Sequence, residues 1–341
     1  MSSAPSPAIP VVALARLCGS HQKRQLGTSP YNGSDTKRSK SAVHTSVSSS
    51  KRHIVEVAAN DETQQPVLRL LPDCFNIQLK YIAAGATSAI TAGALWNAIR
   101  EGTYHGSPVL LKELTKPTVA TIREVNRIAS LTLHLHHPNV VQFLGLSWDS
   151  PEKPLYMLTE RPGRGDLATL LANGESFDVT QVVSMLLDVA CGMAYLHGQS
   201  QAVMHRDLRA RNIHISSDGR AKIANLEFGG KLSVDRTLIG TPAWAAPEIL
   251  RGQSDYDEKV DVYSFAMLAV EMLNRKPPYT DEYKNARELL HDISAKHRRP
   301  RIEERQKWPI SLLHLIEECW FNDASQRPAF HTIVQRLLAI T

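Results

Sequence analysis

From position 76 onward the chain falls into alternation. Ile77, Leu79 and Tyr81 share one side of an extended segment, with Gln78 and Lys80 on the other, a two-residue period that predicts a half-buried strand. Apolar stretches at 89–95 and 109–111, linked by small residues and glycine, predict further strands of a twisted antiparallel sheet. The period then lengthens. Over 121–133, Ile122, Val125, Ile128 and Leu131 recur at three-to-four spacing and predict an amphipathic helix. After Pro162-Gly163-Arg164-Gly165 the pattern is helical. Asp178 with Gln181 reads as a capping box, opening a helix whose stripe is Val182, Leu186, Val189, Met193 and Leu196. The stretch 262–273 is apolar nearly all round, as in a fully buried helix, and 312–320 and 330–340 predict two more. A small β-rich half followed by a larger helical half, with a cleft between, suits a bound nucleotide.

Charge changes the picture only at the N-terminus. Residues 1–52 hold eight Lys/Arg against one acid, Asp35, whereas the remainder carries 31 basic and 33 acidic residues. The basic character of the chain therefore belongs to a Ser/Pro-rich tail, expected to be disordered over 1–65, and the folded part gives no reason to expect nucleic acid. The apolar stretch 8–17 is short and holds Pro10 and Arg16, so it reads as tail rather than as a cleaved leader. Lys37-Arg38-Ser39-Lys40 is a candidate nuclear address, with solvated disorder as the plainer reading. Cys18, Cys74, Cys191 and Cys319 lie far apart without metal or disulfide spacing, which fits a reducing compartment such as the cytoplasm. No run of eighteen apolar residues occurs, so no membrane span is expected.

The sharpest signal is His205-Arg206-Asp207-Leu208-Arg209-Ala210-Arg211-Asn212. It resembles the catalytic loop of protein kinases at every fixed position. Phosphoryl transfer to a hydroxyl needs a carboxylate to orient the attacking oxygen and an amide oxygen to hold a cation; Asp207 and Asn212 have those groups. Downstream, 212–215 and 220–224 read as two short strands joined through Asp218-Gly219, a hairpin signal that brings Asn212 near Asn225.

The resemblance to protein kinases covers about 265 residues, and its wording is closest to the tyrosine-kinase-like group of serine/threonine kinases. It implies an α+β bilobal fold over 75–341. The small antiparallel β-rich N-lobe with one helix would span about 75–160, and the larger, mainly helical C-lobe about 163–341. It also implies ATP and magnesium as cofactors and a protein substrate. Val109-Leu110-Leu111-Lys112 resembles V-A-I-K, so Lys112 would hold phosphates and Glu124 would orient it. Ile82 to Ile90 resembles the glycine-rich loop, with Ala83, Gly85, Ser88 and Ile90 at its key positions. Thr159 falls at the gatekeeper and Glu160 to Pro162 at the hinge, where backbone groups would meet adenine. Gly240-Thr241-Pro242 through Pro247-Glu248 resembles the end of an activation segment, with Ser233 and Thr237 as candidate phosphosites. Thr241 favours serine/threonine specificity, and Arg327 would pair with Glu248 as a structural ion pair.

The departures from the family pattern are concentrated in the chemistry. Asn225 stands where kinases carry the Asp that binds magnesium, and a loss of about 3–4 kcal/mol there would slow transfer several hundredfold. Glu227 replaces a glycine two residues on and offers a carboxylate as a substitute metal ligand beside Asn212 and Asn225. Arg209 replaces the usual Lys and keeps the charge, but not the point-like ammonium. Leu110 takes the place of Ala against adenine, and overpacking of this kind costs about 1–3 kcal/mol unless the site widens. Two readings follow: a pseudokinase with weak or lost transfer, which the substitutions favour, or an active serine/threonine kinase with unusual metal ligation.

Overall fold

The computed structural model describes residue 77 and residues 82–87, 95–148, 153–228, 242–283 and 285–341. The tail over 1–65, Ser88, Ile90, Ser233, Thr237 and Thr241 lie outside them.

The first lobe is a five-stranded antiparallel sheet with spatial order β1-β2-β3-β5-β4. Its strands are β1 (Ile82–Thr87), β2 (Ala98–Tyr104), β3 (Ser107–Leu114), β4 (Phe143–Ser147) and β5 (Leu155–Glu160). The lobe's helix, α1 (Val119–Thr132), is opened by a reciprocal capping box between Thr118 and Thr121. Its Ile122, Val125 and Ile128 pack on Leu114, Leu146, Met157 and Trp96, while Val109, Leu111 and Leu158 form a second cluster with Ile77. Alternation along β3 thus sends Val109 and Leu111 one way and Leu110, Lys112 and Leu114 the other.

Two expectations shift here. Ile77 is not in a strand, although its N–H bonds to Leu146 O at 2.7 Å. The stretch 89–94, expected in a strand, lies outside the described residues; β2 at Ala98–Tyr104 is a strand the pattern did not predict, because Arg100, Glu101 and Gly102 hid its period. β1 contains Ala83 and Gly85, so the strand preceding the glycine-like loop starts at Ile82, and β2 follows only at Ala98.

The second lobe contains a small sheet, β6 (Gly165–Asp166), β7 (Ile213–Ile215) and β8 (Ala221–Ile223), and the helices α2 (Leu167–Ala172), α3 (Val179–His197), α4 (Pro247–Leu250), α5 (Lys259–Asn274), α6 (Ala286–Ala295), α7 (Ile310–Cys319) and α8 (Phe330–Leu338). The Asp178–Gln181 capping box opens α3. Among the described residues, α3 alone is long and apolar enough to cross a membrane, but it packs as a core helix against α8 and β8. Gly192 makes that approach possible, because a Cβ there would stand 2.7 Å from Ile223 Cδ1 and 2.8 Å from Asn139 O. Apart from its two terminal residues, α5 is buried on every side. Arg327, fully buried, forks onto Glu248 with Nη1–Oε1 2.6 Å and Nη2–Oε2 2.9 Å.

The lobes are stitched by backbone. Val141 N–H bonds to Ile223 O, and Ile223 N–H bonds to Asn139 O, each at 2.8 Å. These bonds carry the segment after α1 onto β8, next to Asn225.

Candidate functional site

The loop 205–212 is positioned from below. Asp261, wholly buried in the first turn of α5, accepts the N–H of His205 at 2.8 Å and of Arg206 at 2.7 Å, and also contacts His197 Nε2 at 2.9 Å. Burial alone would push its carboxyl up; the hydrogen bond and charge of His197, with His205 and the Arg206 N–H, outweigh burial and hold it below the usual carboxylate range. The His205 ring is wedged between Ala224 O, 2.8 Å from Nε2, and the Asp207 N–H, 3.2 Å from Nδ1. Further along, Glu271 of α5 accepts the Ala210 N–H at 2.9 Å and the Trp244 Nε1–H at 2.8 Å. Its burial pushes its carboxyl up to about 7, against the pull of those two donors.

Above this base, four side chains form one directional row. The Lys112 ammonium, which can only donate, points at Asn225 Oδ1 at 2.6 Å and also forms an ion pair with Glu227. That fixes the Asn225 amide, leaving its Nδ2 to donate to Asn212 Oδ1 at 2.7 Å. Asn212 Nδ2 donates in turn to both the backbone O and the Oδ2 of Asp207, each at 2.7 Å. Arg209 Nε adds a contact to Asp207 Oδ2 at 3.2 Å, and its guanidinium lies 5.9 Å from the centre of the Trp244 ring. Asn225 sits at φ +61°, the left-handed region that Asn tolerates better than most residues.

The β7–β8 hairpin thus brings Asn212 and Asn225 into contact, as its Asp-Gly turn predicts. Glu227 joins them, but as the partner of Lys112. The expected partner of Lys112, Glu124, is not brought to it. Glu124 is half-exposed on α1 and is forked by Arg127, with Nη2–Oε1 at 2.6 Å; the same guanidinium donates to Glu227 O at 2.5 Å. Arg127 competes for Glu124 one helical turn along, where i,i+3 neighbours meet, and Glu227 fills the vacancy at Lys112.

These contacts bear on the magnesium that the sequence leads one to expect. Asn212 Oδ1 faces an N–H, Asn225 Oδ1 faces an ammonium, and the one carboxylate among the three candidate ligands, Glu227, is neutralised by Lys112. A small dication needs oxygens turned towards it and anionic charge to spare. As arranged, this donor set does not fit magnesium.

Leu110 is buried and pairs across the sheet with Thr159, at the inner end of the cleft. A cavity of ≈ 30 Å³ beside Lys112 is lined by Thr159, Phe143, Ile128, Asn225 and Leu226, room for about one or two waters. Lys222 of β8 reaches back to Glu160 at 2.7 Å, tying the hinge to the second lobe. One residue that sequence reasoning missed is His214, central in β7, whose buried Nδ1 has no partner; a single His in a strand carries no spacing that would single it out.

A sequence model of the family described as "Protein tyrosine and serine/threonine kinase" matches residues 77–337. Among curated proteins, the chain is 31% identical over 300 residues to the probable serine/threonine-protein kinase drkC of Dictyostelium discoideum, covering 85% of this chain and 39% of that one. It is 32% identical over 266 residues to the serine/threonine-protein kinase VIK of Arabidopsis thaliana, 74% of this chain and 59% of the relative. It is 31% identical over 259 residues to the serine/threonine-protein kinase CTR1 of the same plant, covering 73% and 30%. The chain spans less than two thirds of each of these relatives.

Proposed function

The chain belongs to the protein kinase family as a domain of the serine/threonine type, and from that premise we propose that it is a nucleotide-cleft signalling module in which phosphoryl transfer is weak or lost. One observation carries the reading: the row Lys112–Asn225–Asn212–Asp207, closed at one end by Glu227, spends on internal bonds the groups that transfer chemistry would need for phosphate and cation. In this reading Asp207 is held in place by Asn212 and Arg209 as part of the frame, and Lys112 is an occupied cation rather than a phosphate clamp. Asn225 is what makes the row continuous. A carboxylate at 225 would have no N–H to give Asn212, whereas the amide has one.

A second reading, an active serine/threonine kinase using ATP, draws on Asp207 and Asn212, which sit as a hydroxyl-orienting carboxylate and its supporting amide would. Transfer from labelled ATP, with magnesium or manganese, to the protein itself and to a generic substrate separates the two. We expect no transfer above that of Asp207→Asn. Transfer that this substitution abolishes would overturn the first reading in favour of the second. Thermal stabilisation by ATP with and without metal reports nucleotide binding independently of transfer.

A further inference from the structure

Away from the cleft, the chain between α6 and α7 folds into a second concave site. Asn274, the last residue of α5, holds this loop by both ends of its amide: Nδ2 donates to Arg301 O at 2.8 Å, and Oδ1 accepts the Glu303 N–H at 2.9 Å. Glu282 accepts the Arg301 N–H at 3.0 Å. The Arg299 guanidinium lies 5.1 Å from the centre of the Tyr263 ring and donates from Nε to Trp320 O at 2.8 Å, which ties the loop to the end of α7. At Glu304 the backbone enters the left-handed region, φ +45°, and a short 3-10 turn over Arg305–Lys307 follows. Arg305 joins that turn to α7 through Glu317, Nη2–Oε1 2.7 Å.

These segments enclose a cavity of ≈ 370 Å³, within the range of small-ligand pockets. Its apolar lining is Pro300 and Ile302, both buried, and the half-buried indole of Trp320. Arg301 and Gln306 line it as well. The Arg301 guanidinium, the Gln306 amide and Trp320 Nε1 take no hydrogen bond or ion pair among the described residues.

The surrounding charges set the sign of a ligand. Glu303 pairs with Lys276 at 2.8 Å, Glu304 with Lys307 at 2.6 Å, Glu317 with Arg305 at 2.7 Å and Glu282 with Arg298 at 3.1 Å. Each of these carboxylates thus has its cation, whereas Arg299 donates to carbonyl oxygens alone and Arg301 to nothing. Two positive charges are left over, and one of them lines the cavity.

We propose that this pocket docks an acidic peptide segment of a partner protein, with one aromatic or aliphatic side chain against Trp320 and Ile302 and a neighbouring carboxylate forked by Arg301. A planar guanidinium matches a carboxylate edge to edge, and an indole in a pocket is a favoured anchor for a partner's side chain. A loop already pinned by Asn274, Glu282 and Arg299 has little order left to gain on binding. A flat anionic bilayer fits less well, because the site is concave and the exposed Glu303 and Glu304 flank Arg301. The proposal does not depend on whether the cleft transfers phosphate.

The test titrates the full chain with three fluorescent amidated pentapeptides, each with two Glu on either side of a central Phe, Leu or Ala, read by anisotropy at 150 mM salt. The Phe peptide should bind at about 0.1 mM and the Ala peptide about tenfold more weakly. Arg301→Glu, an exposed position, should weaken the Phe peptide at least about tenfold, and Arg287→Glu on α6 should not change it. Loose pairing with the basic residues of 1–52 is common to all three peptides and both variants, so the differences read the pocket. The proposal is overturned if the Phe and Leu peptides bind no better than the Ala peptide, if a Phe peptide flanked by Lys binds as well, or if Arg301→Glu binds like the parent. Absence of peptide binding, with sedimentation on phosphatidylserine vesicles that Arg301→Glu abolishes, overturns it in favour of a membrane. The peptide comparisons use the unaltered protein and decide on charge and anchor even where a variant does not fold.

Discussion

Substituting Glu227 by Gln tests the internal ion pair from two sides at once. The Lys112 side chain is 5% exposed and that of Glu227 13%, so the pair sits largely out of water. Deleting one partner of a buried pair costs about 3–5 kcal/mol; a Gln still offers a neutral acceptor, and Lys112 keeps Asn225 Oδ1, which reduces the expected loss to about 2–3 kcal/mol. For a domain of this size each kcal/mol moves the melting temperature by about 2–4 °C, so the ligand-free protein should melt about 4–12 °C lower. A triphosphate must break the same pair to reach Lys112 in the parent protein. The free energy lost from stability should therefore reappear as affinity, with ATP binding about 30- to 150-fold tighter to the variant in EDTA. Scanning calorimetry of the free protein and isothermal titration with ATP measure the two halves. A variant that melts lower but binds ATP no better, or that melts unchanged, would refute the argument that Glu227 competes with phosphate for Lys112.

Stability against pH should show two buried groups pulling in opposite directions. Glu271, raised by burial from 4.5 to about 7, holds a proton in the folded state that the unfolded chain releases, so stability falls as pH rises through that window. His214, lowered by burial from 6.5 to about 4, refuses a proton that the unfolded chain takes, so its contribution rises with pH between those values. Glu271→Gln, whose amide oxygen can still accept from Ala210 and Trp244, should leave stability climbing by up to about 3 kcal/mol between pH 4.5 and 6.5; a denaturation series that stays flat or falls would contradict this. Arg327→Lys loses the fork onto Glu248 and the bonds to Phe321 O and Lys259 O, and should cost about 3 kcal/mol in urea melts; an unchanged midpoint would show the pair to be dispensable. Gly192→Ala drives a methyl group against the Ile223 Cδ1 tip and also against the Asn139 backbone oxygen, which cannot swing aside, and should destabilise by about 1–3 kcal/mol, read by the same melts.

Much of the frame was legible in the chain because it is written locally. The capping box at Asp178, the all-apolar run of α5 and the Asp-Gly turn between β7 and β8 each specify their element within a few residues, and the turn alone was enough to bring Asn212 to Asn225. What stayed hidden depends on partners far apart in sequence. Glu124 has the helical spacing expected of the Lys112 partner, but whether it turns inward is decided by Arg127 on its own helix and by Glu227, 115 residues beyond Lys112. A carboxylate two positions past Asn225 could serve a cation or a lysine equally well on paper; only the row of donors shows which. β2 escaped notice because its charged residues sit on a strand whose burial comes from both neighbours rather than from its own alternation.

The anchoring of the loop through Asp261 carries a consequence for how such a domain can change over generations. The grip on the His205 and Arg206 amides comes from a helix buried beneath the loop and owes nothing to positions 225 or 227. Substitutions on the cleft side can therefore accumulate without loosening the floor they stand on. Architecture and reactivity are therefore separable in a domain built this way: the grip on the loop persists whatever stands on the cleft side.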